Sequence, residues 1–178
     1  PAALQGSVSN LGFILVQSLV NSFSTLNIAA YTAANKMEGF SMLPLMGISQ
    51  AFAIYVGQNM GAGDVDRVKK GLKQTVLLDG GVSIATSILI YTIGPLLIGL
   101  FVDASETEVI ARGAAYLRAF CPFLFFHAMM NVYSSLLRGA GDSVMAMIAS
   151  FFDLGVRMFM AYFLSLWVGI GFMGCAWA

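Results

Sequence analysis

The sequence predicts an all-α fold, a polytopic membrane bundle of about five transmembrane helices followed by the start of a sixth. Composition is the first reason. Of the 178 residues 58% are apolar and 10% charged, and the mean hydropathy is +0.82, too little polarity to cover a surface facing water. The placing of the charges is the second. None falls in residues 1–35, 39–63, 80–102 or 158–178, and 119–137 hold only His127. Each run can span the hydrocarbon core of a bilayer, which takes about 20 residues of helix. A soluble enzyme is thereby excluded. Nine Lys and Arg balance nine Asp and Glu, so no basic excess points to nucleic acid. Cys121 and Cys175 both lie in apolar runs and make neither a disulfide framework nor a metal site.

The turn signals give the elements in order. A first helix covers about residues 4–24 and ends in Ser24-Thr25-Leu26-Asn27. The second runs from about 29 to 60 and, at about 48 Å, is long enough to project beyond a bilayer. Pro44 lies inside it and should kink it, because its ring removes a backbone donor and clashes with the preceding turn. Gly61-Ala62-Gly63 stops it, since glycine takes the left-handed conformation of a helix C-terminus. Asp64 or Asp66 caps the third helix, about 67–101, which carries Gly94-Pro95 near its far end. Ser105 with Glu108 reads as a capping box opening the fourth, about 106–138, with Pro122 inside. Gly139-Ala140-Gly141-Asp142 ends that helix, and Ser143 starts the fifth, which reaches about 168. Gly169 to Gly174 turn the chain into a sixth. The chain opens at Pro1 and stops at Cys175-Ala176-Trp177-Ala178, in what reads as the first turn of that segment, so a piece of a longer protein is expected. Its N-terminal apolar run carries neither the basic leader nor the small-residue cleavage site of a signal peptide.

Orientation follows from the basic residues. Arg67, Lys69, Lys70 and Lys73 follow the second helix and Arg138 closes the fourth, whereas the opposite side has only Arg112, beside Asp103, Glu106 and Glu108. Five against one puts the Gly-Ala-Gly-Asp turns in the cytoplasm by the positive-inside rule. The basic cluster anchors that topology and touches anionic lipid headgroups. Gly-Ala-Gly-Asp occurs twice, at 61–64 and 139–142, each time joining two long helices on the same face. Such a pair suggests an internally repeated transporter architecture; a tight helical hairpin needs a glycine turn in any case.

Ionisable groups inside hydrocarbon cost about 2.5–3.5 kcal/mol each on insertion scales and usually face a cavity or a partner. Lys36, Glu38, Asp79, Arg118, His127, Asp153 and Arg157 are the groups concerned. His127 precedes the Arg138 turn by the distance at which Asp153 follows it, so both are expected near mid-membrane, about 16 Å from the turn. They could hold and release a proton, since imidazole titrates near neutral pH without tuning, or clamp the hairpin by a buried hydrogen bond. Asp153 and Arg157, spaced i to i+4 with the acid first, compete with that idea as a neutralising ion pair. Lys36 and Glu38 are two apart and point to nearly opposite sides of their helix, so each needs a partner elsewhere. Glu38 in an aqueous cavity would accept a proton or sodium ion, with Lys36 tuning it; at an outer mouth both would snorkel or bind neighbouring helices. Asp79 is expected level with Ile48, apart from Glu38. Asn10, Gln17 and Asn21 repeat at seven and four residues along one face of the first helix, and Tyr31, Thr32 and Asn35 add polarity to the second. These groups either line a wet cavity or bind helix to helix. No nucleophile–base constellation, phosphate loop or metal-ligand spacing occurs, so no enzyme is expected.

Pro1-Ala2-Ala3-Leu4-Gln5, Ala29-Ala30-Tyr31-Thr32-Ala33, Lys36-Met37-Glu38, Gly57-Gln58-Asn59-Met60-Gly61-Ala62-Gly63 with Arg67, and Leu137-Arg138-Gly139-Ala140-Gly141-Asp142 together resemble the second half of a multidrug and toxic compound extrusion (MATE) transporter. The likeness runs the whole chain in order and spacing. It implies helices seven to eleven and the start of twelve, the C-terminal lobe of a two-lobe, twelve-helix protein whose N-terminal lobe is missing from this chain. It further implies export of small organic cations and other amphiphiles in exchange for H+ or Na+, with no cofactor besides that coupling ion. Membrane lipids would surround it, in a bacterial cytoplasmic (inner) membrane. In one branch of the family carboxylates of the seventh and tenth helices bind the cation; the matching positions here hold Ser9 and His127. Another branch uses an aspartate of the first helix, outside this sequence, which leaves Glu38 as the best substitute in this half. A lipid or polysaccharide flippase of the same superfamily would carry a more cationic cavity. A non-transporting assembly subunit would use the same polar residues only to join helices.

Overall fold

A computed structural model of the chain describes residues 14, 17, 18, 20, 21, 24–103 and 105–163. Four long helices account for most of them: α1 (Thr25–Gly61), α2 (Val65–Gly99), α3 (Thr107–Gly139) and α4 (Ser143–Tyr162). All four are long and apolar enough to cross a membrane. At 37 residues α1 is about 55 Å long, well beyond the ~30 Å hydrocarbon core. The chain is thus an integral membrane protein, all-helical among the described residues. Most of the expected first helix, including Asn10 and Ser9, and the expected sixth lie outside the described residues.

The chain reverses twice at one end of the bundle, and the two reversals have the same backbone. After α1 the amide of Gly63 donates to the carbonyl of Met60 and that of Asp64 to Asn59 O, at 3.1 and 2.9 Å. After α3 the amide of Gly141 donates to Arg138 O and that of Asp142 to Leu137 O, at the same two distances. This is the Schellman pattern, which satisfies the orphaned last carbonyls of a helix and needs a left-handed residue. Glycine supplies it: φ is +74° at Gly63 and +88° at Gly141. The aspartate that follows caps the next helix. Asp64 accepts from Arg67 N and Asp142 from Met145 N, both at 3.0 Å.

At the opposite end two expectations give way to contacts between helices. Ser24 to Asn27 do not form a turn; Ser24 sits at the cap and α1 starts at Thr25. Asn27 is used across the bundle instead, its Oδ1 accepting from Arg112 Nη1 of α3 at 2.6 Å. The capping box of Ser105 and Glu108 does not form, because Glu106 occupies the cap and makes no side-chain cap bond. Glu108 turns along its own helix to Arg112, at 2.8 Å, and the guanidinium joins the two elements.

Helices α1, α2 and α3 pack around one another, and α4 packs against α3. The buried positions of α1 include Tyr31, Ala34, Glu38, Ser41, Leu45, Ser49, Phe52 and Val56, a stripe at the three-to-four-residue spacing of one helix face. α1 and α3 run parallel and approach closely at glycines. A β-carbon on Gly139 would stand 2.5 Å from Ala53 O and 2.7 Å from Val56 Cβ, and one on Gly113 would stand 3.3 Å from Ala30 O. α2 is joined to α3 by a reciprocal pair: Ser87 Oγ donates to Cys121 O, and Cys121 Sγ to Ser87 O. Outward faces are apolar, with Leu77, Ile88 and Leu89 on α2 and Ile148, Phe152 and Phe159 on α4 all exposed, as lipid-facing helices require.

Candidate functional site

Glu38 sits inside the buried stripe of α1, between Tyr31 and Leu45, and only 7% of its surface is exposed. It therefore faces the packed interior of the lobe. The close approaches of Ala30 to Gly113 and of Gly57 to Gly139 set the register of the parallel helices and put Glu38 beside the Phe120–Cys121 turn of α3. Ser41, one turn on, is buried too and donates to Met37 O. Tyr31, about two turns before Glu38, packs its ring edge-on to Tyr116 of α3 at 5.5 Å.

Lys36 points the other way, as the two-residue spacing requires. It is exposed and its Nζ lies 5.5 Å from the centroid of the Phe101 ring, just past α2. Around it is an open groove of about 360 Å³ lined by Ala29, Thr32, Ala33, Lys36, Phe101, Val102, Asp103 and Glu106. A second hollow of about 570 Å³ adjoins it and shares Ala29 and Glu106, adding Glu108 and the start of α1. Together the two hollows are lined by apolar side chains, one ammonium group, Lys36, and three carboxylates, Asp103, Glu106 and Glu108. Asn35 is half-buried near by.

The same register places His127 beside Leu45, seven residues or about 10 Å deeper than Glu38. The two are not one cluster. His127 and Asp153 are both half-buried, on α3 and α4, and the turn between those helices puts them at similar depth. The alternative ion pair of Asp153 with Arg157 involves a side chain outside the described residues. Before α1, Gln17 Nε2 donates to Asn21 Oδ1 at 3.0 Å, so these amides share one face.

Sequence reasoning set Asp79 apart from Glu38 without telling that it is fully buried. Asp79 of α2 is 0% exposed, and neither of its oxygens has a hydrogen-bond partner among the described residues. The hydroxyl of Ser49 on α1, 2% exposed, is in the same condition. Asp79 stands out in an apolar run, but only the packing of three helices tells that it points inward.

The family model MatE matches residues 1–163. The chain is 28% identical over 178 residues to the probable multidrug resistance protein YoeA of Bacillus subtilis, covering 98% of this chain and 37% of that protein. It is 24% identical to the probable multidrug resistance protein NorM of Thermotoga maritima, covering 99% and 38%. The fold superposes on a MATE protein crystallised with MaL6, with a TM-score of 0.92 at 18% identity, over 99% of this chain and 40% of that one. An outward-facing multidrug resistance MATE transporter of the MOP superfamily gives 0.89 at 18% identity, over 97% and 38%. The chain thus spans less than half the length of these relatives.

Proposed function

The chain belongs to the MatE family, and from that premise we propose that it is the C-terminal lobe of an exporter exchanging small organic cations for protons or sodium ions by alternating access. The observation that carries this reading is Glu38, the one carboxylate of α1, buried in the outer half of that helix, with Lys36 two residues away beside an amphiphilic groove. A carboxylate at that depth is costly unless it serves a cation or a fixed partner. Glu38 takes up the coupling ion, and the Lys36 charge favours its release. His127, with Asp153, forms a second protonation site deeper in the lobe, and Tyr31, Asn35, Gln17 and Asn21, together with Asn10, line the path of the substrate. The partners are an N-terminal lobe, the lipids of a bacterial cytoplasmic membrane and a cationic amphiphile; no cofactor is needed besides the coupling ion.

The test is Glu38→Gln in the complete protein that carries this chain, reconstituted in vesicles with a fluorescent organic cation. Efflux driven by a proton or sodium gradient should fall at least tenfold while the amount of folded protein stays the same. Unchanged efflux retires Glu38 as the coupling residue. For His127→Ala, the pH profile of efflux should shift; an overlay on the parent profile leaves it a structural role.

A further inference from the structure

Arg118 of α3 is exposed beside α2, its guanidinium carbon 5.6 Å from the centroid of the Tyr91 ring. That ring is itself 58% exposed. An ionisable side chain on an outward helix face is unusual in a membrane protein, because hydrocarbon offers it no partner. Among the described residues Arg118 makes neither a hydrogen bond nor an ion pair, and the Tyr91 hydroxyl makes no hydrogen bond. The carboxylates of the two helices are all engaged or distant. Glu108, the one acid within α3, is held by Arg112 at 2.8 Å; on α2, Asp66 lies at the opposite end and pairs with Lys69, and Asp79 is buried twelve residues before Tyr91. Asp103 and Glu106 line the groove at Lys36. The five N–H donors of the guanidinium are left to whatever surrounds the bundle.

Depth says what that is. Arg118 precedes Arg138, at the glycine-turn end of α3, by twenty residues, about 30 Å of helix. On α2, Tyr91 follows Lys73 by eighteen residues, about 27 Å. Both spans match the ~30 Å thickness of the hydrocarbon core. With the basic residues of the turn end at one headgroup layer, Arg118 and Tyr91 reach the other. The contact of Ala30 with Gly113 sets Arg118 level with Asn35, so Lys36, the other cation over an aromatic ring, has the same height. An aromatic ring and a long basic side chain are the usual anchors at that boundary. Toward the membrane centre from the pair, the outward surface is apolar: Ile84 and Ile88 on α2 and Pro122 and Phe126 on α3 are exposed.

We propose that Arg118 and Tyr91 form a headgroup site for an anionic phospholipid of the leaflet opposite the two glycine turns. A guanidinium presents a planar fork of donors that fits two oxygens of one phosphate, and the Tyr91 hydroxyl can donate to the same group. The ring beneath the guanidinium limits its freedom, so less order is lost on binding. The acyl chains follow the exposed Ile84, Ile88 and Phe126. Charge selects the class of lipid. A zwitterionic headgroup brings an ammonium group, and no free carboxylate of α2 or α3 stands at this level to receive it; a headgroup such as phosphatidylglycerol brings the phosphate charge alone. The site lies on the outward surface and is separate from Glu38 and its groove, so it holds whether or not Glu38 couples transport.

The complete protein, reconstituted in nanodiscs of phosphatidylcholine with a rising share of phosphatidylglycerol, tests this by native mass spectrometry of the lipids it retains. Arg118→Gln should weaken the retention of phosphatidylglycerol roughly tenfold, as expected for a lost charge-assisted contact. Arg118→Lys, which keeps the charge without the fork, should fall between the two. The loss should persist when Lys69, Lys70 and Lys73 are all changed to Gln, since their lipids belong to the other leaflet. Should Arg118→Gln not fold, Tyr91→Leu serves, because it removes the ring and the hydroxyl and should also weaken retention. Equal retention by variant and parent overturns the proposal. So does equal retention of phosphatidylethanolamine, which would remove the charge selection, or displacement of the lipid by inorganic phosphate in detergent, which would make the site one for a free anion.

Discussion

The two Gly-Ala-Gly-Asp turns have one sequence and one backbone but different surroundings. Both close a helix with the same pair of amide-to-carbonyl bonds, and both end in an aspartate that caps the next helix. Yet a β-carbon on Gly61 would meet nothing within 4 Å, whereas one on Gly139 would run into Ala53 O and Val56. The first glycine of each turn is thus spare at one copy and a contact surface at the other. A motif can specify its own loop completely and say nothing of what leans on it.

The largest expected effect breaks the symmetry. Gly139→Ala should destabilise the complete protein by about 3 kcal/mol, the upper part of the range for overpacking, because its nearest neighbour is backbone and cannot turn aside. Gly61→Ala should be neutral or stabilising by up to about 1 kcal/mol, as for alanine in an open helical position. Equal melting temperatures for the two variants in detergent would show that the α1–α3 crossing is looser than described. Next comes the symmetric pair: Gly63→Ala and Gly141→Ala should each cost about 1–2 kcal/mol, since both force an L side chain to positive φ. A twofold difference between them in thermal unfolding would mean that the turns differ in backbone strain.

Asp64→Ala and Asp142→Ala should each cost about 1 kcal/mol, and the Asn variants much less, because asparagine also accepts from the amide. Loss in both Asn variants as large as in Ala would show that charge, and not the cap bond, is what matters. The smallest effect sharpens the contrast. The Tyr55 hydroxyl donates to Arg67 O at 3.1 Å and ties the first turn to α1, so Tyr55→Phe should cost about 0.5–1 kcal/mol. Its ring also rests on Gly71, where a β-carbon would collide with it. Unchanged unfolding of Tyr55→Phe would show that the ring contact alone holds this turn.

Much of the bundle could be read from the chain because its causes are local. Apolar run length, the left-handed glycine and the aspartate after it lie within a few residues of the feature they produce. Misreadings occurred where a polar residue had two possible partners. Asn27 read as part of a turn and Glu108 as part of a cap, but Arg112 draws both into one contact across the α1–α3 end. Among polar groups, the spacing of Lys36 and Glu38 told that they diverge, without telling which one is buried. The depth of Asp79 set it apart from Glu38, without telling that it is fully buried.

By itself the sequence determined that the chain lives in a bilayer, where its helices stop and how its turns close, since solvent preference and backbone conformation act residue by residue. Only the tertiary structure decided which of two identical glycines is a contact surface, that Glu38 faces inward, and that Asp79 and Ser49 are buried without hydrogen-bond partners among the described residues. Those facts depend on how each helix is rotated and shifted against its neighbours, and that is fixed by contacts between residues far apart in the chain.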